Sequence, residues 1–490
     1  MKKILKIVIA SSLIVFLNLF LSCQPKNSKP RKIKLNPSAP VSLIVWHYYN
    51  GARQSMFNSL VSQFNDTVGR KEGIYVEGHS LGSISDLEKA VADSLSGKVG
   101  AKELPDIFSS YADTAYSAQK HGKLANLAEY FTKEELDSYV DDYISEGYLN
   151  RDDVLYLFPT AKSTEIMMIN KTAWEKFSEA TGSLLSELYT TEGVSAVAER
   201  YYKWTDSLTP DIPDDGKAFY GRDSMSNYFI IGMRQMGTEI FEVKDGKLSV
   251  NADKEKIRRL WENYYVPYLK GYFKAYGKFR SDDVKTGDII AYTGSTSSVM
   301  YFPDRVELED LSYSIDYIIQ NAPVMENGEN YWVQQGAGMV VAKSDPEHEY
   351  AASVFLKWFT QEENNILFVC DSGYLPVKKA ANSIDFVKKE ISEKDIKINP
   401  KVYDCLSSVM ENFGEMKFYT PKSFRNGFKV RSVLDFALSD SAENDRKKLE
   451  QEISSGIPRE KAILKYVSDD SFEKWYKNFY ETLMKESVKQ

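Results

Sequence analysis

Cysteine and histidine are scarce, with three and four residues in a chain of 490. Three cysteines cannot build a disulfide scaffold. His47, His79, His121 and His348 are too scattered for a zinc signature, so no metal and no cofactor is expected. Glycine (27) and proline (16) are modest, which excludes collagen-like and low-complexity chains. Positive charge is not in excess: 62 Lys and Arg face 70 Asp and Glu, a formal net charge of −8. That balance leaves no electrostatic footprint for nucleic acid. There is one long hydrophobic run, at the N-terminus, which excludes a polytopic membrane protein. What is present is a 43% hydrophobic chain with 32 Tyr, 25 Phe and 7 Trp, enough for a sizeable core in two or three domains.

The hydrophobic run is a targeting segment. Lys2, Lys3 and Lys6 precede a mostly apolar stretch from Ile7 to Leu21, broken by Ser11, Ser12 and Asn18. This is the layout of a signal peptide over residues 1–22, too short for a comfortable membrane span. Phe20-Leu21-Ser22-Cys23 resembles a bacterial lipobox, with Phe20 where Leu is usual, so Cys23 is the expected lipidation site. An ordinary secretory leader cleaved elsewhere is the alternative. Residues 23–40, with Pro25, Pro30 and Pro37, read as a flexible tether holding a soluble body at a membrane through the lipid. Cys370 and Cys405 are expected as buried free thiols, although an oxidising compartment would permit them to pair.

Strands and helices alternate along the body. Val41 to Trp46 reads as a strand, and Phe57, Leu60, Val61 and Phe64 then recur at helical spacing. Ile74 to Glu77 is a second strand, Ile84 to Leu95 a helix with Leu87, Val91 and Leu95 on one stripe, and Leu104 to Phe108 a third strand. Three such steps predict an α/β fold with a parallel sheet covered on both faces. Further strands are expected near 156–170, at Asp288 to Tyr292 and at Tyr313 to Ile319. A helix from Pro346 to Phe359 should carry Tyr350, Val354, Phe355 and Trp358 inward, and the chain beyond Lys429 reads as helical.

Gly78-His79-Ser80-Leu81-Gly82 fits G-x-S-x-G, the nucleophile elbow of serine hydrolases. The later histidines that such an enzyme needs are His121, at a helix end, and His348, in the exposed first turn of a helix. A serine hydrolase is therefore a minor alternative. Gly336-Ala337-Gly338 lacks the third glycine of a dinucleotide loop and reads as a close backbone approach.

Val45-Trp46-His47, Leu104-Pro105-Asp106-Ile107, Gly122 to Leu127, Phe158-Pro159-Thr160 through Lys171, Gly336 to Lys343, Ala351 to Glu363 and Gly373 to Val377 occur in an order that resembles bacterial extracellular solute-binding proteins of family 1. The resemblance runs from Val41 onward and is closest to the branch of glycerol-3-phosphate-binding proteins. It implies an α/β, two-lobe periplasmic-binding-protein architecture with a hinge and a ligand cleft. The first lobe is expected over 41–155 plus about 300–345, and the second over 156–299 plus about 346–490. The resemblance also implies a monomeric, lipid-anchored receptor with no reaction of its own, outside the cytoplasmic membrane. It would hand a small-molecule solute to the transmembrane subunits of an ABC permease. Glycerol 3-phosphate or a glycerophosphodiester is the leading solute, a sugar or oligosaccharide the alternative. Ligand-binding positions carry over to His47 and Tyr48 at the first strand end, to Ser80 and Ser83 after the second, and to Asp113 by a one-residue shift. Ser163 matches a cleft serine, and Ser295, Thr296 and Ser297 match a turn whose N–H groups suit an anion. Gly336 offers a backbone N–H, Tyr374 a hydroxyl, and Arg425, in Phe424-Arg425-Asn426-Gly427, a charged partner for phosphate. Arg222 and Asp223, in a segment where those relatives carry Trp, are expected as ligand-binding positions too.

Overall fold

In the computed structural model, which describes residues 30–149, 151, 153–244 and 247–488, the chain enters the fold at strand β1, Val41–His47. The period-two pattern of β1 sends Leu43 and Val45 into one core and Trp46 into another, so this strand is covered on both faces. Helix α1, Gly51–Phe64, buries the Phe57, Leu60, Val61 and Phe64 stripe anticipated from its spacing. Strand β2, Ile74–Ser80, leads through a short turn to helix α2, Ile84–Leu95, whose N-cap Ser83 accepts from the Asp86 N–H at 3.1 Å. Strand β3, Ile107–Ser110, is followed directly by helix α3, Ala112–Lys120.

Next come β4, Leu157–Phe158, and β5, Glu165–Asn170. Every residue of β5 is buried: Ile166 and Met168 face one core, Met167 and Ile169 the other. That is why its sequence reads as continuously apolar instead of alternating. Strand β6, Tyr220–Arg222, precedes helix α4, Met225–Gln235; β7, Ala291–Ser295, β8, Tyr317–Asn321, and β9, Gly338–Val341, complete the two main sheets. The helices that follow are α5, Pro346–Phe359, α6, Glu362–Ser372, α7, Pro400–Glu411, and α8, Gly427–Ala437.

The first sheet has the order β2-β1-β3-β9-β4 and the second β8-β5-β7-β6. The expected parallel pairing holds for β1 with β2 and β3, whereas β9 runs antiparallel to β3 and β4. The chain returns from the second sheet and enters the first from its opposite end, which reverses β9. The second sheet is mixed, with β5 antiparallel to both neighbours and β6 parallel to β7.

Several segments pack otherwise than the sequence division anticipated: β4, placed with the second lobe, pairs with β9 in the first sheet, and α6, also placed there, brings Phe368 to 5.0 Å from Tyr49 on the first lobe. Strand β8, placed with the first lobe, hydrogen-bonds β5 in the second sheet. Helix α5, placed with the second lobe, packs on the first: Phe355 meets Phe64 edge-on at 5.2 Å and Phe359 meets Phe57 at 5.7 Å. The apolar stripe on α5 was legible, but any sheet with a matching uncovered face would have satisfied it, and burying one Phe contributes about 1.5–3 kcal/mol wherever it lands. Residues 427–488 do join the second-sheet core, through Val430, Leu434, Leu449, Phe472, Phe479 and Leu483.

Candidate functional site

Three chain segments meet between the sheets. Ser163 and Gln335 exchange backbone hydrogen bonds at 3.0 and 2.9 Å, and the Lys162 N–H donates to the Leu375 carbonyl at 3.2 Å. Gly336 has φ +92°, and a Cβ there would lie 2.8 Å from the Ala161 carbonyl oxygen, so only glycine permits the crossing. Beneath it the Lys162 ammonium is buried, ion-paired with Glu146 and donating to the Gly336 carbonyl at 3.0 Å. Glu146 also accepts from Gln334 Nε2 at 2.8 Å.

Above this junction lies a cavity of about 540 Å³, bounded by strand ends of both sheets and by one face of α8. Strand ends supply Tyr111 and Asp113 after β3, Ser163 before β5, and Ser295 and Ser297 after β7. Gly336 and Tyr374 complete that side. Helix α8 supplies Phe428, Arg431, Ser432, Asp435 and Phe436. These fall at i, i+3, i+4, i+7 and i+8, one helical face, while Val430 and Leu434 bury on the other. Phe428 and Phe436 are 63% and 60% exposed, unusual for large apolar rings in a wall of this kind.

The lining is acidic. Glu88, Asp113, Glu146 and Asp435 contribute four carboxylates, and Arg431 is the guanidinium among the lining residues. Arg431 Nε is already bonded to Asp113 Oδ2 at 2.8 Å. Asp435 accepts from the Ser226 N–H at 2.8 Å. Burial pushes the Glu88 carboxyl above its usual range, opposed by a hydrogen bond from the Thr114 hydroxyl at 2.9 Å and reinforced by Asp113.

Of the residues anticipated from sequence, the cavity gathers Asp113, Ser163, Ser295, Ser297, Gly336 and Tyr374. Tyr48 stands behind it, its hydroxyl 3.1 Å from that of Tyr374. The others are occupied elsewhere. His47 is buried against Tyr49 and Phe57, with Nδ1 accepting from the Tyr49 N–H at 3.2 Å. Burial, with a smaller contribution from His79, lowers its pKa to about 4 and keeps the ring neutral. Ser80 Oγ donates to the Tyr49 carbonyl at 2.7 Å, and Ser83 caps α2. Arg222 is buried in an ion pair with Glu165 at 2.6 Å and lies over the Tyr228 ring. Asp223 accepts from the Arg280 N–H at 2.9 Å. Thr296 is buried, its N–H given to the Thr164 carbonyl at 2.8 Å. Arg425 is exposed and outside the lining, six residues from the Arg431 that is in it.

The G-x-S-x-G segment ends β2 and provides no triad. The Ser80 hydroxyl is spent on a carbonyl, His79 pairs with Glu77 at 3.2 Å, His121 Nδ1 meets the Ser117 carbonyl and His348 meets Asp345. Cys370 and Cys405 are buried free thiols, and burial pushes Cys370 up to about 12. Cys23 lies outside the described residues. Sequence reasoning missed the α8 wall. Its polar-aromatic face is visible in the spacing, but nothing local shows that this face meets a cavity.

No curated protein matches the sequence. Among solved structures, the fold is similar to UgpB from Mycobacterium tuberculosis in complex with glycerophosphocholine, at 16% identity and TM-score 0.62, over 92% of this chain and 100% of that one. It is also similar to a cyclic alpha-maltosyl-1,6-maltose binding protein from Arthrobacter globiformis, at 16% identity and TM-score 0.60, over 90% and 99%. An ABC substrate-binding protein from Listeria monocytogenes in complex with cycloalternan gives 15% identity and TM-score 0.61, over 90% and 99%. These likenesses establish a two-lobe periplasmic-binding-protein fold. A family model described as bacterial extracellular solute-binding protein matches residues 60–394, more than half of the sequence, and the chain belongs to that family.

Proposed function

We propose that this protein is the receptor of an ABC importer and that its solute is a neutral, hydroxyl-rich molecule of the oligosaccharide class, bound in the cavity between the two sheets. The observation that carries this reading is the charge of the lining: Asp113 is paired with Arg431 and Glu146 with the buried Lys162, which leaves Glu88 and Asp435 as lining carboxylates with no ion-pair partner among the described residues and no lining cation free for a phosphate. Carboxylates accept hydrogen bonds from sugar hydroxyls and repel a phosphate. The exposed Phe428, Phe436 and Tyr111 rings suit the apolar faces of sugar rings. The Ser295–Ser297 turn is poorly disposed for an anion, because the Ser297 N–H donates to Ser295 Oγ and the Thr296 N–H to Thr164. Relatives of this fold that bind a cyclic maltosyl sugar and cycloalternan agree with the reading.

A second reading is a glycerophosphodiester with a cationic head, the type of ligand held by the mycobacterial structure. The same acids and rings would cradle a quaternary ammonium. Glycerol 3-phosphate itself fits less well, since Arg425 stands outside the lining. Calorimetry with linear and cyclic gluco-oligosaccharides, glycerol 3-phosphate and glycerophosphocholine separates these readings. Heat with neutral oligosaccharides alone is expected, and binding confined to the phosphate esters would overturn the carbohydrate assignment. The anchor is a separate proposal: Cys23 is diacylated and holds the receptor outside the cytoplasmic membrane. Fatty-acid label should enter the wild type and be absent from Cys23→Ser.

A further inference from the structure

Helix α8 belongs to the second-sheet core through Val430 and Leu434, yet its opposite face crosses to the first lobe. Arg431 reaches Asp113, in the first turn of α3, at 2.8 Å, and the two side chains are 20% and 13% exposed. From its own side Arg431 is steadied by the Pro421 carbonyl at 3.4 Å and by the Phe424 ring, 5.8 Å below the guanidinium. The guanidinium is therefore aimed before it meets its partner. Gly427 opens α8 directly against the same carboxylate: a Cβ there would stand 2.5 Å from Asp113 Oδ1 and 2.6 Å from Cγ and Oδ2. Its φ lies outside the left-handed range, so the backbone does not require glycine; the approach of the other lobe does. The glycine of Phe424-Arg425-Asn426-Gly427, and not its arginine, is the residue that meets the first lobe.

We propose that Asp113, Arg431 and Gly427 form a latch that draws the two lobes together across the cleft and sets the population of the closed form. The latch rests on the two-lobe receptor reading but not on which solute is carried. Its position bears on binding as well. Asp113 and Arg431 both line the main cavity, and Ala112, next to Asp113 in the chain, also lines a neighbouring compartment of about 390 Å³. A partly buried charge pair between lobes is stronger than a surface pair, and losing it shifts a two-state closure equilibrium toward the open form. Affinity then falls by the fraction of molecules that remain closed.

The test is small-angle scattering of the full chain without solute, which does not depend on the identity of the ligand. Arg431→Met keeps the length of the side chain and removes its charge. Gly427→Ala replaces a residue outside the cavity lining and places a methyl group against Asp113. Both are expected to raise the radius of gyration at an unchanged melting temperature, and to weaken binding of any solute found by calorimetry about 5- to 50-fold. A radius of gyration equal to wild type in Arg431→Met overturns the latch, and this variant decides alone if Gly427→Ala does not fold. Expansion of both variants with no response to any oligosaccharide leaves the latch standing and removes only the carbohydrate reading.

Discussion

On the strand-end wall of the cavity, Ser163, Gly336 and Tyr374 rest on a buried network in which Lys162, Glu146 and Gln334 hold one another. On the α8 wall, Phe428 and Phe436 project beside Arg431 and Asp435, which bond Asp113 and Ser226, and their own rings are more than half exposed. The first wall also joins the two sheets, so its chemistry and the integrity of the fold are inseparable. The second can change its side chains without disturbing the core. Within one cavity, the positions at the three-segment junction are therefore structural and the two α8 rings are free of the core, which under the proposed function makes the helix the natural place for solute preference to reside.

The largest effect should come from Lys162→Met. It strands Glu146 beside a junction of three segments, and an uncompensated buried charge costs about 3–5 kcal/mol. Urea melts should show that loss, and a change below about 1 kcal/mol would remove the distinction between the walls.

Next is the acid limb of stability. His47 is neutral in the fold with its pKa lowered to about 4. The unfolded chain takes up a proton as pH falls through about 6.5, so stability present above that pH is lost on descending toward about 4, by up to roughly 3 kcal/mol. His47→Gln should flatten this limb in denaturation curves recorded across that range.

Replacing Phe428 and Phe436 together by Ala should weaken solute binding about 10- to 100-fold while leaving the melting temperature nearly unchanged. A large drop in stability with intact affinity would invert the comparison. The smallest pair of effects separates two serines that looked alike in sequence. Ser83→Ala should cost about 1 kcal/mol of stability through its lost cap and leave affinity alone. Ser297→Ala should leave stability alone and weaken binding by about 2- to 10-fold.

The amphipathic elements were legible because their signal is local. The α1 stripe, the bounds of α2, the strand-to-helix steps up to α3 and the helical tail all follow from spacing within a dozen residues. The site was legible only in part. Ser295, Ser297 and Tyr374 follow strand or helix ends and reach the cavity, but Ser80 and His47 also sit at strand ends and are consumed by Tyr49. A hydroxyl's availability depends on what stands opposite it, and the Tyr49 carbonyl is thirty-one positions away from Ser80.

Two arginines state the division most sharply. Arg425 and Arg431 are equally plausible from residue type, and the sequence by itself determined only that helix begins near Lys429, which takes in Arg431 and leaves Arg425 in the segment before it. Helical periodicity further determined that Phe428, Arg431 and Asp435 share a face opposite Val430 and Leu434, because 3.6 residues per turn is a property of the backbone. Which face meets the core, and that the other meets Asp113 across the cleft, was decided by the packing of residues 427–488 on the second sheet. Burial is satisfied by any complementary apolar surface, so the partner of a stripe is a property of the whole chain.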